Sequence, residues 1–574
     1  MKELIKNDAS KCIGCNRCIR FCPVEGANIA YKEDEAIKVR TDGAKCIACG
    51  ACIDTCRHES RGYSDDTEKF LSDLRAGVKI SLFAAPANRT NGENGGRLLT
   101  WLRRLGVNKI YDVSLGADIC TWAHIRHIEK NRPPAIITQP CPAIVNYVLL
   151  HRPELAKYLS PVQSPMLCTA IYMKRYKGVS DSLAALSPCI AKSNEFEQTQ
   201  LVKYNVTFKK LYEYIKSQNI RLPNEATGFD HAESSLGSLF PMPGGLKENI
   251  EAYLGKSIRI DKSEGPETVY RALDEYAKQS PRFYPAVFDV LNCKEGCNLG
   301  TGCTHEKSMF EINTVMDGVR KSVTEQRGRA DFDALYEGYD KELRLNDFLR
   351  AYQSAPVKLY EVSEKQIEES YAKLNKFSHV DRTFDCSACG ADSCREMARQ
   401  IALGFNIAAN CIQKVRADVH SEHDLVLELS AANVKNIDEI LVDISKIKNL
   451  TADISQNVTG INTALDQFNK MAKEINQIAM KINIIALNAS VEAARAGQFG
   501  KAFGVIAEEI RSLANSSKKT VAATEDVTEK ADLSITYINN MIKQISGEVE
   551  KAYNVISDIS EKTQKTLQKD GLIK

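Results

Sequence analysis

From Ile440 onward the apolar positions fall at alternating steps of four and three: Ile440, Ile444, Ile447, Thr451, Ile454, Val458, Ile461, Leu465, Phe468, Ala472, Ile475, Ala479, Ile482, Ala486 and Ala489. Thr451 is the one polar member. A sustained heptad of this kind specifies a coiled coil. A glycine-containing turn, AGQFGKAFG (496–504), interrupts it. The pattern resumes through Phe503, Ile506, Ile510 and Leu513, then a more polar stretch, then Val527, Ala531, Ile538, Met541 and Ile545. Two arms of roughly 70 residues, at ~1.5 Å rise per residue, predict an antiparallel helical hairpin roughly 100 Å long.

Upstream the periodicity changes. VKISLFAAP (78–86), NKIYDVS (108–114), PAIITQPCP (134–142) and YPAVFDVLNC (284–293) read as strands, and 97–105 and 266–278 read as helices. That alternation predicts an α/β sheet. The chain has 574 residues, too long for one core, which suggests about three to five domains. A net charge of +2 gives no reason to expect nucleic acid or an anionic membrane as partner. No apolar run is long enough to span a bilayer, and MKELIKNDASKC is not a signal peptide, so a cytoplasmic protein without membrane insertion is expected.

Nineteen cysteines change the picture. In a reducing compartment such a count points to metal binding or catalysis rather than disulfides. Cys12, Cys15, Cys18 and Cys22 form C-x2-C-x2-C-x3-C, and Cys46, Cys49, Cys52 and Cys56 repeat it. This doubled run is the bacterial two-cluster ferredoxin pattern, in which the fourth cysteine of each run serves the other cluster. Cys12, Cys15, Cys18 and Cys56 are therefore assigned to one [4Fe-4S] cluster, and Cys46, Cys49, Cys52 and Cys22 to the second. Arg57 stands where the first run has Pro23. A pair of zinc knuckles is the alternative, although zinc sites rarely repeat four cysteines in this way.

In the middle of the chain, Cys141, Cys189, Cys293 and Cys297 sit at the ends of strand-like runs, where α/β folds build sites. Taken alone they could be buried core residues. TQPCPAIVNY (138–147), SPCIAK (187–192) and NCKEGCNLGTGC (292–303), with LFAAPANR (82–89), LGADICTW (115–122) and HRPELAKYLSPVQSP (151–165), resemble the catalytic domain of iron-only hydrogenases over about 280 residues. The resemblance implies an H-cluster: a cubane held by Cys141, Cys189, Cys293 and Cys297, with Cys297 also bridging to a di-iron subsite carrying CO and cyanide. It implies Lys192 as a charge-assisted donor to one cyanide, and the backbone at Pro86 and Ala87 as cradle for the other. The plainer reading of Lys192 is a surface lysine.

Three departures stand against fast turnover. Pro140 occupies the position of the family's proton-relaying cysteine and cannot do acid–base work. Leu291 aligns with a methionine near the bridging ligand, and GTGC, ending in Cys303, replaces a glycine-rich tail. Cys168, Cys303 and His305 are candidates for another proton path. Core packing is the favoured reading of Cys120 and Cys168. Similar departures occur in the family's sensory-type subgroup.

FDCSACGADSCREMARQIALGFNIAANC places Cys386, Cys389, Cys394 and Cys411 at C-x2-C-x4-C-x16-C. Ser393 suits the cap of a helix over 394–405. The segment looks like a small redox [4Fe-4S] domain, with zinc as the alternative. Finally, KINIIALNASVEAARAGQFGKAFGVIAEEIRSLA (481–514) resembles the signalling tip of methyl-accepting chemotaxis proteins. That resemblance implies a homodimeric four-helix bundle whose tip binds a histidine kinase and a coupling protein. The matching tip positions are Met480, Ile484, Leu487, Asn488, Glu492, Arg495 and Val505. Gln498 replaces a usual glutamate, and no clear methylation segment is present.

A multidomain fold is expected: an α+β ferredoxin domain (1–75), an α/β hydrogenase-like metal domain (76–355), a small helical [4Fe-4S] domain (356–425) and a coiled-coil hairpin (426–574). Three [4Fe-4S] clusters and an H-cluster make the cofactor set. The module order suggests a transducer that senses hydrogen or redox state and signals to a chemotaxis-type kinase. The rivals are a slow hydrogenase docked in a signalling array and a cluster-only redox, oxygen or CO sensor.

Overall fold

The computed structural model describes residues 3–92, 94–138, 140–231, 235–255, 258–326, 328–358 and 360–569. The chain divides into two compact units, Met1–Val415 and Arg416–Lys574.

In the first unit, strand β1 (Ile5–Asn7) will pair with β4, and the hairpin β2 (Asn28–Glu33) to β3 (Ala36–Thr41) is antiparallel with Asn28 opposite Thr41. Strand β4 (Arg61–Tyr63) closes on β1 with Ile5 opposite Tyr63. Each cysteine run curls into a one-turn helix, Arg17–Arg20 or Ala51–Asp54. The residue before each helix is left-handed, Asn16 at φ 58° and Gly50 at φ 87°. Asn and Gly tolerate that conformation best, so the two loops fold alike. At Gly50 a side chain is also excluded by space, because a Cβ would fall 1.9 Å from Thr301 Oγ1.

The α/β body holds two parallel sheets. Strands β5 (Ile80–Ala84), β6 (Ile110–Asp112), β8 (Ser182–Ser187) and β9 (Tyr204–Thr207) lie in the order β6-β5-β8-β9. Strands β7 (Ile136–Thr138), β10 (Ile260–Glu264) and β11 (Val287–Leu291) lie in the order β10-β11-β7. All five residues of β5 and of β11 are buried, which is why both read as unbroken apolar runs. The strand expected over 108–114 ends at Asp112. There the carboxylate accepts from Ser114 N at 2.8 Å and caps the helix Val113–Asn131.

Residues near the end of the first unit form two capped helices, Glu364–Lys373 and Cys394–Ala402. Ser393 accepts from Glu396 N at 3.0 Å, the cap its sequence suggested.

The second unit is helical. The helix Ile412–Arg495 has 84 residues and Lys501–Lys569 has 69, so the first arm is longer than the heptad pattern suggested. At ~1.5 Å per residue these run to roughly 126 and 104 Å. The turn is tighter than expected: a single 3-10 turn, Gly497–Gly500, joins them. Within the hairpin one position per heptad is buried: Ile444, Thr451, Val458, Ala472, Ala479 and Ala486 on one arm, and Ala507, Ala514, Val521, Thr528, Ile535 and Ile542 on the other. The alternate heptad positions Ile447, Ile454, Ile461 and Ile475 remain 44–51% exposed.

Candidate metal centre

The carboxyl ends of β5, β7, β8 and β11 converge on one cavity of about 90 Å³. Strand β5 leads into Pro86 and Ala87, β7 into Pro140 and Cys141, β8 into Cys189, and β11 into Cys293 and Cys297, all of which line it. This is where parallel sheets place their ligands, because side chains beyond the strand ends face an open crevice. Lys192, Leu291, Met166 and Phe240 complete much of the wall. All four predicted cubane cysteines and Lys192 are therefore brought together.

Burial, then the neighbouring Cys141, pushes the Cys189 thiol up to about 12. Burial, then Cys297, Cys141 and Cys189, holds Cys293 well above the usual thiol range. Four thiolates crowded in an apolar pocket are costly unless cations sit among them. That donor set, soft and cation-demanding, fits an iron–sulfur cubane. The glycines after Cys297 keep the floor close: a Cβ on Gly300 or Gly302 would fall 2.6 or 2.8 Å from Pro188 O.

Lys192 is not a surface lysine. Its ammonium donates to Glu195 Oε2 at 2.7 Å, Ser164 Oγ at 2.9 Å and Pro140 O at 3.2 Å. Neither Glu195 nor Ser164 was singled out from the sequence. Glu195 lies one helical turn after Lys192, a spacing that could have flagged it. Ser164 comes from a distant segment and left no local signal.

Cys120 and Cys168 are buried in the core beside the cavity, as core packing predicts. They are also polar neighbours. Cys120 Sγ lies 3.6 Å from His124 Nδ1, and Cys168 Sγ donates to Gln163 O at 3.3 Å. Burial alone would raise the Cys120 thiol, but hydrogen bonding from Cys168 and the charges of His124 and Lys192 carry it down to about 6. Cys303 is buried and donates to Cys297 O at 3.4 Å, whereas His305 is exposed.

In the N-terminal lobe Cys22, Cys46 and Cys52 lie close enough to act on Cys49, and Cys12 and Cys15 close enough to act on Cys18. Burial raises Cys49, and Cys22, Cys52 and Cys46 raise it further. Burial raises Cys18, with Arg61 opposing and Cys12 and Cys15 adding to the rise. Arg61 reaches Cys18 Sγ at 3.4 Å. Cys49 also lines the central cavity. Asn292 ties the two regions: its amide donates to Cys49 O at 2.9 Å and lies 3.9 Å from Cys293 Sγ. Asn292 too was missed in the sequence.

Cys386, Cys389, Cys394 and Cys411 line a separate cavity of about 20 Å³. Three are buried and Cys386 is exposed. Cys411 directly precedes the helix Ile412–Arg495. At the hairpin turn, Met480, Ile484, Leu487, Asn488, Glu492, Arg495 and Val505 are all exposed. Among the described residues, no group of three or more His, Cys, Asp or Glu side chains converges as for a single metal ion.

Residues 79–301 match the family described as iron only hydrogenase large subunit, C-terminal domain. Residues 4–57 match the 4Fe-4S dicluster domain, and residues 461–570 the methyl-accepting chemotaxis protein signalling domain. The periplasmic iron hydrogenase large subunit of Nitratidesulfovibrio vulgaris is 29% identical over 281 residues, 43% of this chain and 66% of that one. Iron hydrogenase 1 of Clostridium pasteurianum is 28% identical over 285 residues, 42% of this chain and 49% of that one. The chain thus spans less than two thirds of either relative. YvaQ of Bacillus subtilis, named as a sensory transducer protein, is 28% identical over 139 residues, 24% of this chain and 25% of that one. A solved variant of [FeFe]-hydrogenase HydA1 from Chlamydomonas reinhardtii superposes with a TM-score of 0.41 at 17% identity, covering 50% of this chain and 99% of that one.

Proposed function

From a chain that joins a 4Fe-4S dicluster domain, an iron-only hydrogenase large-subunit domain and a chemotaxis-receptor signalling domain, we infer a transducer that senses hydrogen or redox state and controls a chemotaxis-type histidine kinase. The observation that carries this reading is the cavity in which Cys141, Cys189, Cys293, Cys297 and Lys192 meet, in a chain whose residues 461–570 match a chemotaxis-receptor signalling domain.

Cys141, Cys189, Cys293 and Cys297 would hold a cubane, with a di-iron subsite on the Cys297 side of the cavity. That subsite, when bound, supplies reversible cleavage of hydrogen into protons and electrons. The residues around it bind and orient rather than relay. Pro86 and Ala87 line the cavity, Lys192 supplies the buried cation, and Pro140 adds no titratable group to the wall. Slow turnover suits a sensor.

Cys386, Cys389, Cys394 and Cys411 would hold a further cluster, and its reduction would supply one negative charge beside Ile412. A two-state helical element biased by such a charge is the physical requirement for signalling. The half-exposed heptad stripe of Ile447, Ile454 and Ile461 suits a second copy, giving a dimeric four-helix bundle. The exposed tip residues then face the kinase and a coupling protein. Among the described residues no helix is long and apolar enough to cross a membrane.

A second reading, a cubane-only redox sensor, is favoured by one detail: protein acceptors already occupy the three donors of Lys192. Infrared spectra of the iron-loaded protein under hydrogen and under nitrogen separate the two. Cyanide and carbonyl bands that shift with hydrogen support the first. Their absence at full iron–sulfur content sinks it.

A further inference from the structure

We propose that the third cysteine site receives its electrons from the dicluster lobe, across a seam built by Ile19–Gly26, and not directly from the metal centre that precedes it in sequence. This rests on the cluster assignments proposed above.

Sequence order suggests a linear route from the metal domain to Cys386–Cys411. The packing within the first unit is different. Gly390, next to Cys389, lies on the segment that follows Cys18: a Cβ there would stand 3.1 Å from Ile19 Cγ2 and 3.4 Å from Arg20 N. The two cysteine loops therefore pack against each other with no room to spare for a side chain at Gly390. Gly26 meets Phe405 in the same way, with a Cβ falling 2.6 Å from its ring. Ala30 N donates to Phe405 O at 3.0 Å, and the Lys45 ammonium lies 4.0 Å from the centre of that ring. Arg399 pairs with Glu25 across the seam.

Cys22 lines the cavity along this seam, together with Gly390, Ala391 and Phe405. Cys49 lines the metal-centre cavity and is bonded through Asn292. Both are assigned to one cluster. That cluster therefore faces the metal centre through Cys49 and the third site through Cys22. The metal domain borders a neighbouring cavity of the seam through His151, yet no cysteine of the metal centre lines either cavity. The step moves one electron: the cluster of Cys22, Cys46, Cys49 and Cys52 is oxidised from 1+ to 2+ as the third goes from 2+ to 1+. No bond or proton changes, and the reductant is hydrogen or added dithionite.

The test is electron paramagnetic resonance of the full chain, iron-loaded and reduced with dithionite. The signal lost in Cys386→Ser identifies the third cluster. In the wild type it should be broadened by a neighbouring spin. Gly390→Leu, which wedges the seam, and Glu25→Arg, which replaces the pair with Arg399 by repulsion at a partly exposed position, should both narrow it at unchanged iron content. With hydrogen as reductant, Glu25→Arg should slow third-cluster reduction by an order of magnitude while dicluster reduction keeps its rate. A narrow third-cluster signal in the wild type, or unchanged broadening and rate in Glu25→Arg, overturns the proposal. Because dithionite replaces hydrogen in the first measurement, a chain that ignores hydrogen yet shows the broadening sinks the proposed function and leaves this route standing.

Discussion

Lys192 and Glu195 form an ion pair 2.7 Å across, with each side chain only 6% exposed. Breaking a buried pair by removing one partner strands the other charge, at a cost of about 3–5 kcal/mol. Lys192→Met and Glu195→Gln should each destabilise the protein by that order. The double variant Lys192→Met/Glu195→Gln should cost less than the sum. Chemical unfolding of the four proteins in a double-mutant cycle measures the coupling.

Asn292 should matter to both stability and electron transfer. Asn292→Leu leaves Cys49 O and Tyr270 Oη without a partner they now have at 2.9 and 2.7 Å. A buried polar group left unpaired costs about 1–3 kcal/mol. The measurement is a shift in the unfolding midpoint, read alongside a slower hydrogen-driven reduction of the dicluster lobe.

Asp289 predicts a pH dependence. Burial raises its carboxyl from 3.8 to about 6, against hydrogen bonds from Lys247 N and Thr138 that lower it. The folded value exceeds the unfolded one, so its stabilising contribution is full below about pH 4 and is lost as pH rises through about 6. The shift corresponds to about 3 kcal/mol. Asp289→Asn should therefore gain stability relative to wild type on going from pH 5 to pH 8, in unfolding titrations at each pH. A constant difference across that range would refute the assignment.

The hairpin buries one heptad position and leaves its neighbour open, so each arm is half satisfied. Ile454→Lys/Ile461→Lys should convert a dimer to a monomer in analytical ultracentrifugation while far-ultraviolet helicity stays high. Both residues are about half exposed within one chain, at 48% and 51%, so the substitution strains nothing inside it.

Much of this was legible in the sequence, and the gaps have physical causes. Strands β5, β7 and β11 were read because buried parallel strands are continuous apolar runs. Strand β10, Ile260–Glu264, was not, since IDKSE is polar at an edge with only Ile260 buried. The four-residue β9 is too short for any periodicity. Cysteine spacing suggested the groups within the short runs, whereas Cys141, Cys189, Cys293 and Cys297, brought to one cavity by the strand ends, were flagged by resemblance and not by spacing. Nothing local could place Gly390 on Ile19 or Ser164 beside Lys192, since such meetings are set by tertiary packing. The heptad gave the coiled coil but not the split between buried Ile444 and exposed Ile447, which depends on how many helices surround each stripe.

The most direct test of signalling is kinase autophosphorylation, reconstituted with a chemotaxis-type kinase and coupling protein on the iron-loaded transducer, as the gas is switched between nitrogen and hydrogen. The account predicts that phosphorylation changes with hydrogen in the wild type and stays fixed in Cys411→Ser, whose metal-centre infrared bands still respond. Phosphorylation that is the same under both gases in the wild type, or that follows hydrogen equally in Cys411→Ser, would contradict it.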